Sequence, residues 1–335
     1  IAIVYRNDAD QYFRFTWKQW MERTAQLAHA LDSLGVKRGG PFQAGDRVGT
    51  MALNHHRHME AIYATVLTGA VSHPINMRLS MEHMKYTITH SADKVIMFDD
   101  SFLPLVEALY DSIKGSVSAF IYMSDKPGLP KTKIAPLYEY EELIKKQPKT
   151  YDWPDFSEDT YAVLYYTTGT TGLPKGVMFT HRQVFLQTLF GAASMGSRVH
   201  MPDDPPPTND ATPMMVVPLF HIHAWGAPFH LVFNATKVVF PGKFTPESFC
   251  KIVQAEKVRS ASMVPTMLAM LLEYPDLDKY DLSSLQQIGT GGGALPLGLK
   301  RKAEKIFPKS RAGSGYGMTE TLAGVIGATL KRNMV

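Results

Sequence analysis

The stretch Tyr165-Tyr166-Thr167-Thr168-Gly169-Thr170-Thr171-Gly172-Leu173-Pro174-Lys175-Gly176-Val177 has the residue types and spacing most suited to chemistry. Apolar residues run straight into a loop with three glycines, four threonines and one lysine. Glycines let the backbone turn successive amide N–H groups toward one point, which makes a nest for an anion. Threonine hydroxyls add donors and can ligate a magnesium ion, and Lys175 adds a point charge. Together these suit a polyphosphate. The competing reading is a polar turn with no chemical role; four hydroxyls and a lysine between two apolar strands count against it.

The loop is not a Walker A loop, which needs a second glycine followed by Lys and Ser/Thr. Counted from Gly169, the second glycine position is Pro174, and Gly176 stands where the hydroxyl should be. Nor does a Gly-x-Gly-x-x-Gly pattern open a helix here. Instead Gly176-Val177-Met178-Phe179 resumes a strand, and Thr180 with Gln183 forms a capping box for the next helix. The spacing therefore predicts strand–loop–strand. His55, His56 and His58 bunch at the start of a helix with no acidic partner placed for them, so no metal site is expected. Cys250 follows a phenylalanine in a helical stretch and reads as packing.

The string from Thr167 to Gly176 resembles the signature loop of the adenylate-forming superfamily: acyl-CoA synthetases, luciferases and the adenylation domains of peptide synthetases. Gly291-Gly292-Gly293-Ala294-Leu295-Pro296 resembles that family's adenine-side loop, and Gly315-Tyr316-Gly317-Met318-Thr319-Glu320-Thr321 its nucleotide motif. The three stand in the family's order with comparable spacing. The resemblance covers nearly the whole chain, including the pattern from Leu34 to Val48.

By this resemblance Thr167, Thr168, Gly169, Thr170, Thr171, Gly172 and Lys175 would hold the β- and γ-phosphates of ATP. Gly292, Gly293 and Ala294 would line the adenine side, Tyr316 would lie against the base, and Gly315, Gly317 and Met318 complete that motif. Thr319 would bond the α-phosphate, and Glu320 with Thr167 would hold Mg²⁺, a hard-oxygen arrangement. Pro218-Leu219-Phe220-His221-Ile222-His223-Ala224-Trp225-Gly226 resembles the acyl-pocket motif. It implies that His221 sits near the reacting carboxylate and that Trp225, next to Gly226, gates an acyl tunnel, as in synthetases for medium- to long-chain fatty acids. His223 and His230 read as satisfied structural histidines.

The implied function is ATP-dependent activation of a fatty acid to acyl-adenylate and then acyl-CoA, with His221, Lys175, Thr319 and Glu320 as catalytic groups. The alternatives are a ligase passing the acyl group to a carrier protein, a luciferase-like oxygenase, and a non-catalytic acyl- or nucleotide-binding protein. The expected partners are fatty acid, ATP and coenzyme A. Peripheral membrane contact and a homodimer stay open, and the expected compartment is cytoplasmic.

These residues need elements to position them. Ile3-Val4-Tyr5 and Tyr12-Phe13-Arg14-Phe15 flank an Asn/Asp cluster and predict a hairpin. Thr16 is a candidate N-cap for a helix whose apolar residues recur to Leu34, with Gly35 as its stop. Strands are predicted at Arg47–Ala52, Val71–Ile75, Lys94–Phe98 and Ala119–Met123, with a helix that Asn54 can cap running to about Gly69, and helices after Ser80 and near Pro104–Ile113. Residues 127–150, lysine-rich and broken by prolines, read as a surface connection. The second half repeats the alternation, with strands at Tyr161–Tyr165, Met214–Val217, Lys237–Phe240, Ser260–Val264 and Leu285–Ile288, and a helix opened by Pro265. Residues 201–213, with Pro205-Pro206-Pro207, read as an exposed loop.

The fold class is therefore α/β: two stacked subdomains, 1–150 and 151–335, with mainly parallel sheets sandwiched by helices. The length of 335 residues, 45% hydrophobic and 20% charged, supports a sizeable core and excludes a disordered chain. A formal charge of +4 without a lysine/arginine block argues against nucleic acid. One cysteine excludes an intrachain disulfide framework. Eighteen methionines mostly read as core filling. The start at Ile1 and the end at Val335 look like cuts. The family's β-barrel subdomain and C-terminal cap domain are expected to be absent, which would leave binding without normal turnover.

Overall fold

The computed structural model describes residues 2–167, 172–196 and 212–328. Along them the chain forms β1 (Ile3–Arg6), β2 (Tyr12–Phe15), α1 (Trp17–Ser33), β3 (Arg47–Met51), α2 (His56–Leu67), β4 (Val71–Pro74), α3 (Met81–Ser91) and β5 (Asp93–Asp99). Next come α4 (Leu103–Ile113), β6 (Ala119–Met123), β7 (Leu137–Glu139), α5 (Tyr140–Ile144), β8 (Tyr161–Thr167), β9 (Lys175–Thr180) and α6 (His181–Gly196). The rest is β10 (Pro213–Met215), α7 (Ile222–Phe233), β11 (Val238–Phe240), α8 (Pro246–Glu256), β12 (Ser260–Met263), α9 (Pro265–Leu272), β13 (Gln287–Thr290), α10 (Leu297–Ile306), β14 (Arg311–Met318) and β15 (Ala323–Ala328).

These elements divide into two compact units. One comprises Thr16–Leu186 with Leu219–His223, and the other Ile1–Phe15, Gln187–Pro218 and Ala224–Val335. The first unit holds a sheet in the order β7-β6-β5-β3-β4-β8-β9, parallel except for the β8–β9 hairpin. The second holds β15-β14-β13-β12-β10-β11-β1-β2, parallel except at its two edges. The expected α/β class with mainly parallel sheets flanked by helices is what the chain adopts.

A division at residue 150 is not what the strand pairing produces. β1 pairs in parallel with β11, Ile3 opposite Val238, so the N-terminal hairpin joins strands more than two hundred residues away. β8 pairs with β4, which keeps residues 161–180 with the first unit. Local periodicity carries no information about such long-range register.

Most elements start where local chemistry dictates. Thr16 Oγ1 accepts from Gln19 N (3.2 Å) while Gln19 Oε1 accepts from Thr16 N (2.9 Å), a capping box that opens α1. Gly35 ends it with φ +75°. Ser80 caps α3, and Thr245, with Pro246 next, opens α8. Buried Trp20, Leu27, Ala28 and Leu31 are the inward stripe of α1.

Two expectations need correction. α2 is capped by His55, whose Nδ1 accepts from His58 N (3.1 Å), and not by Asn54. Asn54 Oδ1 instead accepts from Leu219 N (2.9 Å). Residues 127–150 are not merely a surface connection: they contain β7 and α5, and Tyr140 is fully buried, its hydroxyl donating to Glu60 Oε2 (2.5 Å). Elements of three and five residues are too short to show a period. Among residues 201–213 only Thr212 and Pro213, which begins β10, lie within the described residues.

A partly buried ion cluster, with Glu60 and Arg57 at its buried end, joins α1, α2 and α5. Arg23 reaches Glu60 (2.7 Å) and Glu141 (2.8 Å), and Arg57 reaches Glu141 and Asp125 (both 2.7 Å). Burial works against the Arg23 charge, but Glu60 and Glu141 outweigh it and hold the guanidinium above its ordinary pKa.

Candidate functional site

In the Thr16–Leu186 unit, β8 and β9 form an antiparallel ladder in which Thr167 stands opposite Lys175. The strands that flank the hydroxyl- and glycine-rich segment are thus paired, in the predicted strand–loop–strand order. Thr168, Gly169, Thr170 and Thr171 lie outside the described residues. Gly172 takes φ +101°, where an L side chain would be strained, although a Cβ there would meet open space. Lys175 is exposed, and among the described residues no carboxylate engages it. Thr180 and Gln183 form the expected capping box under the hairpin, Gln183 Oε1 accepting from Thr180 N (2.9 Å).

His221 belongs to the same unit. Its ring is partly buried against Phe220, with centroids 4.6 Å apart. Burial, and then the Arg78 charge, lower its pKa, so the ring is neutral at pH 7.

The residues after His221 are conformationally unusual. Ile222, His223, Ala224, Trp225 and Gly226 all have positive φ, from 45° to 74°. The first turn of α7 is therefore left-handed, at about 1–2 kcal/mol for each non-glycine residue. Such strain persists only where the surroundings over-determine it, and it clusters at functional sites. Pro228 follows inside α7.

His223, read from sequence as a structural histidine, is fully buried, with Nδ1 2.7 Å from Tyr165 Oη and Nε2 3.3 Å from Ser72 Oγ. The three N-terminal histidines are also buried. His55 does have an acidic partner: because its Nδ1 accepts from His58 N, its Nε2 carries the hydrogen and donates to Asp99 (2.7 Å). The structure supplies what the sequence hid, since Asp99 is 44 residues away. Among the described residues no cluster of His, Cys, Asp and Glu could hold a metal ion.

The other unit carries the remaining candidates. Thr290, the last residue of β13, pairs with Ser314 of β14, so Gly291–Ala294 leave β13 beside Gly315–Met318, which continue β14 and pair with β15. Ligands of parallel sheets bind at the carboxyl ends of strands. Tyr316 is 62% exposed and offers an open ring face. Thr321 Oγ1 is taken up by the turn, donating to the Met318 carbonyl (3.0 Å), and Glu320 is exposed. Gly292 takes φ +73°. At Gly291 a Cβ would stand 2.9 Å from Trp225 Cη2, so the indole rests on this glycine's backbone. Cys250 is fully buried in the hydrophobic core, its thiol pushed up to about 12 by burial, and is inert packing as expected.

No helix among the described residues is long and apolar enough to cross a membrane. Residues 1–334 match the family of AMP-binding enzymes. The chain is 34% identical over 319 residues to a medium-chain-fatty-acid–CoA ligase of Ectopseudomonas oleovorans, covering 95% of this chain and 56% of that protein. It is 34% identical over 333 residues to a long-chain-fatty-acid–CoA ligase of Thermus thermophilus, covering 99% and 57%. The chain thus spans little more than half the length of these curated relatives. Its fold is similar to that of the anthranilate CoA ligase AuaEII in complex with anthranoyl-AMP (TM-score 0.82, 21% identity, 98% of this chain and 60% of that one). It is also similar to apo MatB from Rhodopseudomonas palustris (TM-score 0.77, 20% identity, 100% and 60%). With residues 1–334 matching that family and 34% identity to two ligases over 95% and 99% of its length, the chain belongs to the AMP-binding enzyme family.

Proposed function

We propose that this protein activates a fatty acid with ATP and transfers the acyl group to coenzyme A, releasing AMP. The observation that carries the reading is the β8–β9 hairpin in a chain of this family. Thr167 and Lys175 face each other across its mouth, and the lysine is exposed and unpaired among the described residues.

A carboxylate oxygen of the acid attacks the α-phosphorus of ATP. The bond from that phosphorus to the bridging oxygen breaks, and pyrophosphate leaves. The thiol of coenzyme A gives its proton to solvent, the resulting thiolate attacks the acyl carbon, the bond from that carbon to the AMP oxygen breaks, and AMP departs. Lys175 and the loop hydroxyls neutralise phosphate charge, a task of electrostatic preorganisation. His221, neutral, orients the acid for attack, and Thr319 bonds the α-phosphate. Tyr316 stacks on adenine, with Gly292, Gly293 and Ala294 beside it. The Glu320 carboxylate and Thr167 hydroxyl are hard oxygen donors that fit Mg²⁺, which when bound would further neutralise the phosphates. Trp225 and Gly226 border the acyl group, and the similarity to the two fatty-acid ligases favours a medium or long chain. On this reading the protein works in the cytoplasm, in line with its single unpaired thiol.

The test is acid-dependent ATP–pyrophosphate exchange and acyl-CoA formation across a series of fatty acids, using the protein as its gene encodes it. Exchange with fatty acids followed by CoA thioester formation is expected. Exchange without a thioester would reassign the acceptor, and no exchange with any fatty acid would overturn the reading.

A further inference from the structure

Resting on that reading, we propose that His223 is a positioning residue for acyl activation: it ties the turn that carries His221 to the strand that carries Thr167. The ring lies across two neighbouring strands. Tyr165 belongs to β8 and Ser72 to β4, and Ser72 pairs with Val163 in the ladder between them. The Tyr165 hydroxyl stands 2.7 Å from Nδ1 and the Ser72 hydroxyl 3.3 Å from Nε2. The tyrosine ring meets the imidazole edge-on at 5.2 Å. Burial first, and then the neighbouring His58, keep the His223 pKa well below its ordinary value. A neutral imidazole presents one donor and one acceptor, and a hydroxyl can answer either.

A core histidine with satisfied nitrogens would be the ordinary explanation. Two features point further. His223 itself sits in the left-handed turn, at φ +45°, so the ring anchors backbone that would otherwise relax to a right-handed form. The anchor is also placed between two candidate reacting groups: His221 is two residues before His223, and Thr167 two residues after Tyr165. Moving the imidazole therefore moves the acid-orienting ring relative to the phosphate strand.

The experiment measures acid-dependent ATP–pyrophosphate exchange and thermal melting for Tyr165→Phe, His223→Leu, His223→Asn and the Tyr165→Phe/His223→Leu double variant. Tyr165→Phe removes one hydroxyl and keeps the ring, so it reports even where His223→Leu folds poorly. Tyr165→Phe and His223→Leu should each lower kcat about tenfold or more, since misplacing a reacting group by an ångström can cost about 10²-fold. The KM for ATP should stay within about twofold, because nucleotide binding is not what is lost. The double variant should be little worse than His223→Leu alone, as expected when both act through one contact. His223→Asn should recover much of the rate, because asparagine keeps a donor and an acceptor and tolerates left-handed backbone. Variants with unchanged kcat and only lower melting temperatures would overturn the positioning role, as would an effect confined to the KM for ATP. Absence of exchange in the unsubstituted protein would overturn the functional reading itself, and the positioning role with it.

Discussion

Lys175 stands exposed at the mouth of a hairpin and makes no ion pair among the described residues, so its charge contributes nothing evident to the fold. Lys175→Met should leave stability within about 0.5 kcal/mol. The exchange rate should fall by about 10²-fold, the usual scale for losing one preorganised group on developing charge. Unchanged exchange would remove Lys175 from the chemistry. Trp225 presents a different test, because its indole rests on Gly291 with no room for a Cβ between them. Trp225→Ala and Gly291→Ala should both alter the dependence of kcat/KM on acyl chain length, the first by deleting the indole and the second by pushing it aside, while the KM for ATP stays put. An altered ATP KM with unchanged chain-length preference would count against the gate. Both residues were visible in the sequence through their motifs. Their mutual contact was not, because 66 positions separate them.

At the scale of elements, short-range chemistry decided most boundaries. Thr16 with Gln19, Thr180 with Gln183, Ser80 before α3 and Pro265 at the head of α9 all do what their positions predict. The exceptions are elements whose starts depend on distant partners. His55 displaces Asn54 as the cap of α2 because Asp99 orients its ring, and Asn54 is occupied by the Leu219 amide. The left-handed opening of α7 has no residue signature apart from Gly226, since isoleucine, histidine, alanine and tryptophan all disfavour it. α1, α2 and α5 are joined by charge as well as by apolar contact. Glu60→Leu removes one of the carboxylates that Arg23 reaches and the acceptor of the Tyr140 hydroxyl. Breaking such a buried pair typically costs about 3–5 kcal/mol, so urea or thermal unfolding should register a loss near the lower end of that range. A loss within about 0.5 kcal/mol, as for an ordinary surface site, would mean the cluster is not a stabilising joint.

At the scale of the whole molecule, buried neutral histidines should set the acid side of the stability profile. His58 is fully buried, donating from Nδ1 to the Leu53 carbonyl (3.1 Å) with Thr50 Oγ1 at Nε2 (2.9 Å). Burial first, and then His55, push its pKa down to about 4. Its ordinary value is about 6.5, so between these two values the unfolded chain takes up a proton that the folded chain refuses. Stability is fully present above about pH 6.5 and declines as pH falls toward 4, by about 2 kcal/mol at pH 5 for this one group. His181 and His230, also pushed by burial to about 4, add in the same direction. Melting followed from pH 7 to pH 5 should show this decline, and His58→Gln should make it shallower; a profile that the substitution leaves unchanged would remove His58 from the account. The sequence by itself determined the α/β alternation, the capping of most helices and the strand–loop–strand order around Thr167 and Lys175. Each rests on residues within a few positions of one another, where side-chain type dictates backbone geometry directly. Tertiary structure alone decided which strands share a sheet, what His55 and His223 bind, and why a strained turn survives. Those outcomes depend on pairings across tens to hundreds of residues, such as Ile3 with Val238 and Tyr165 with His223, whose formation is settled by packing and hydrogen bonding and leaves no local pattern.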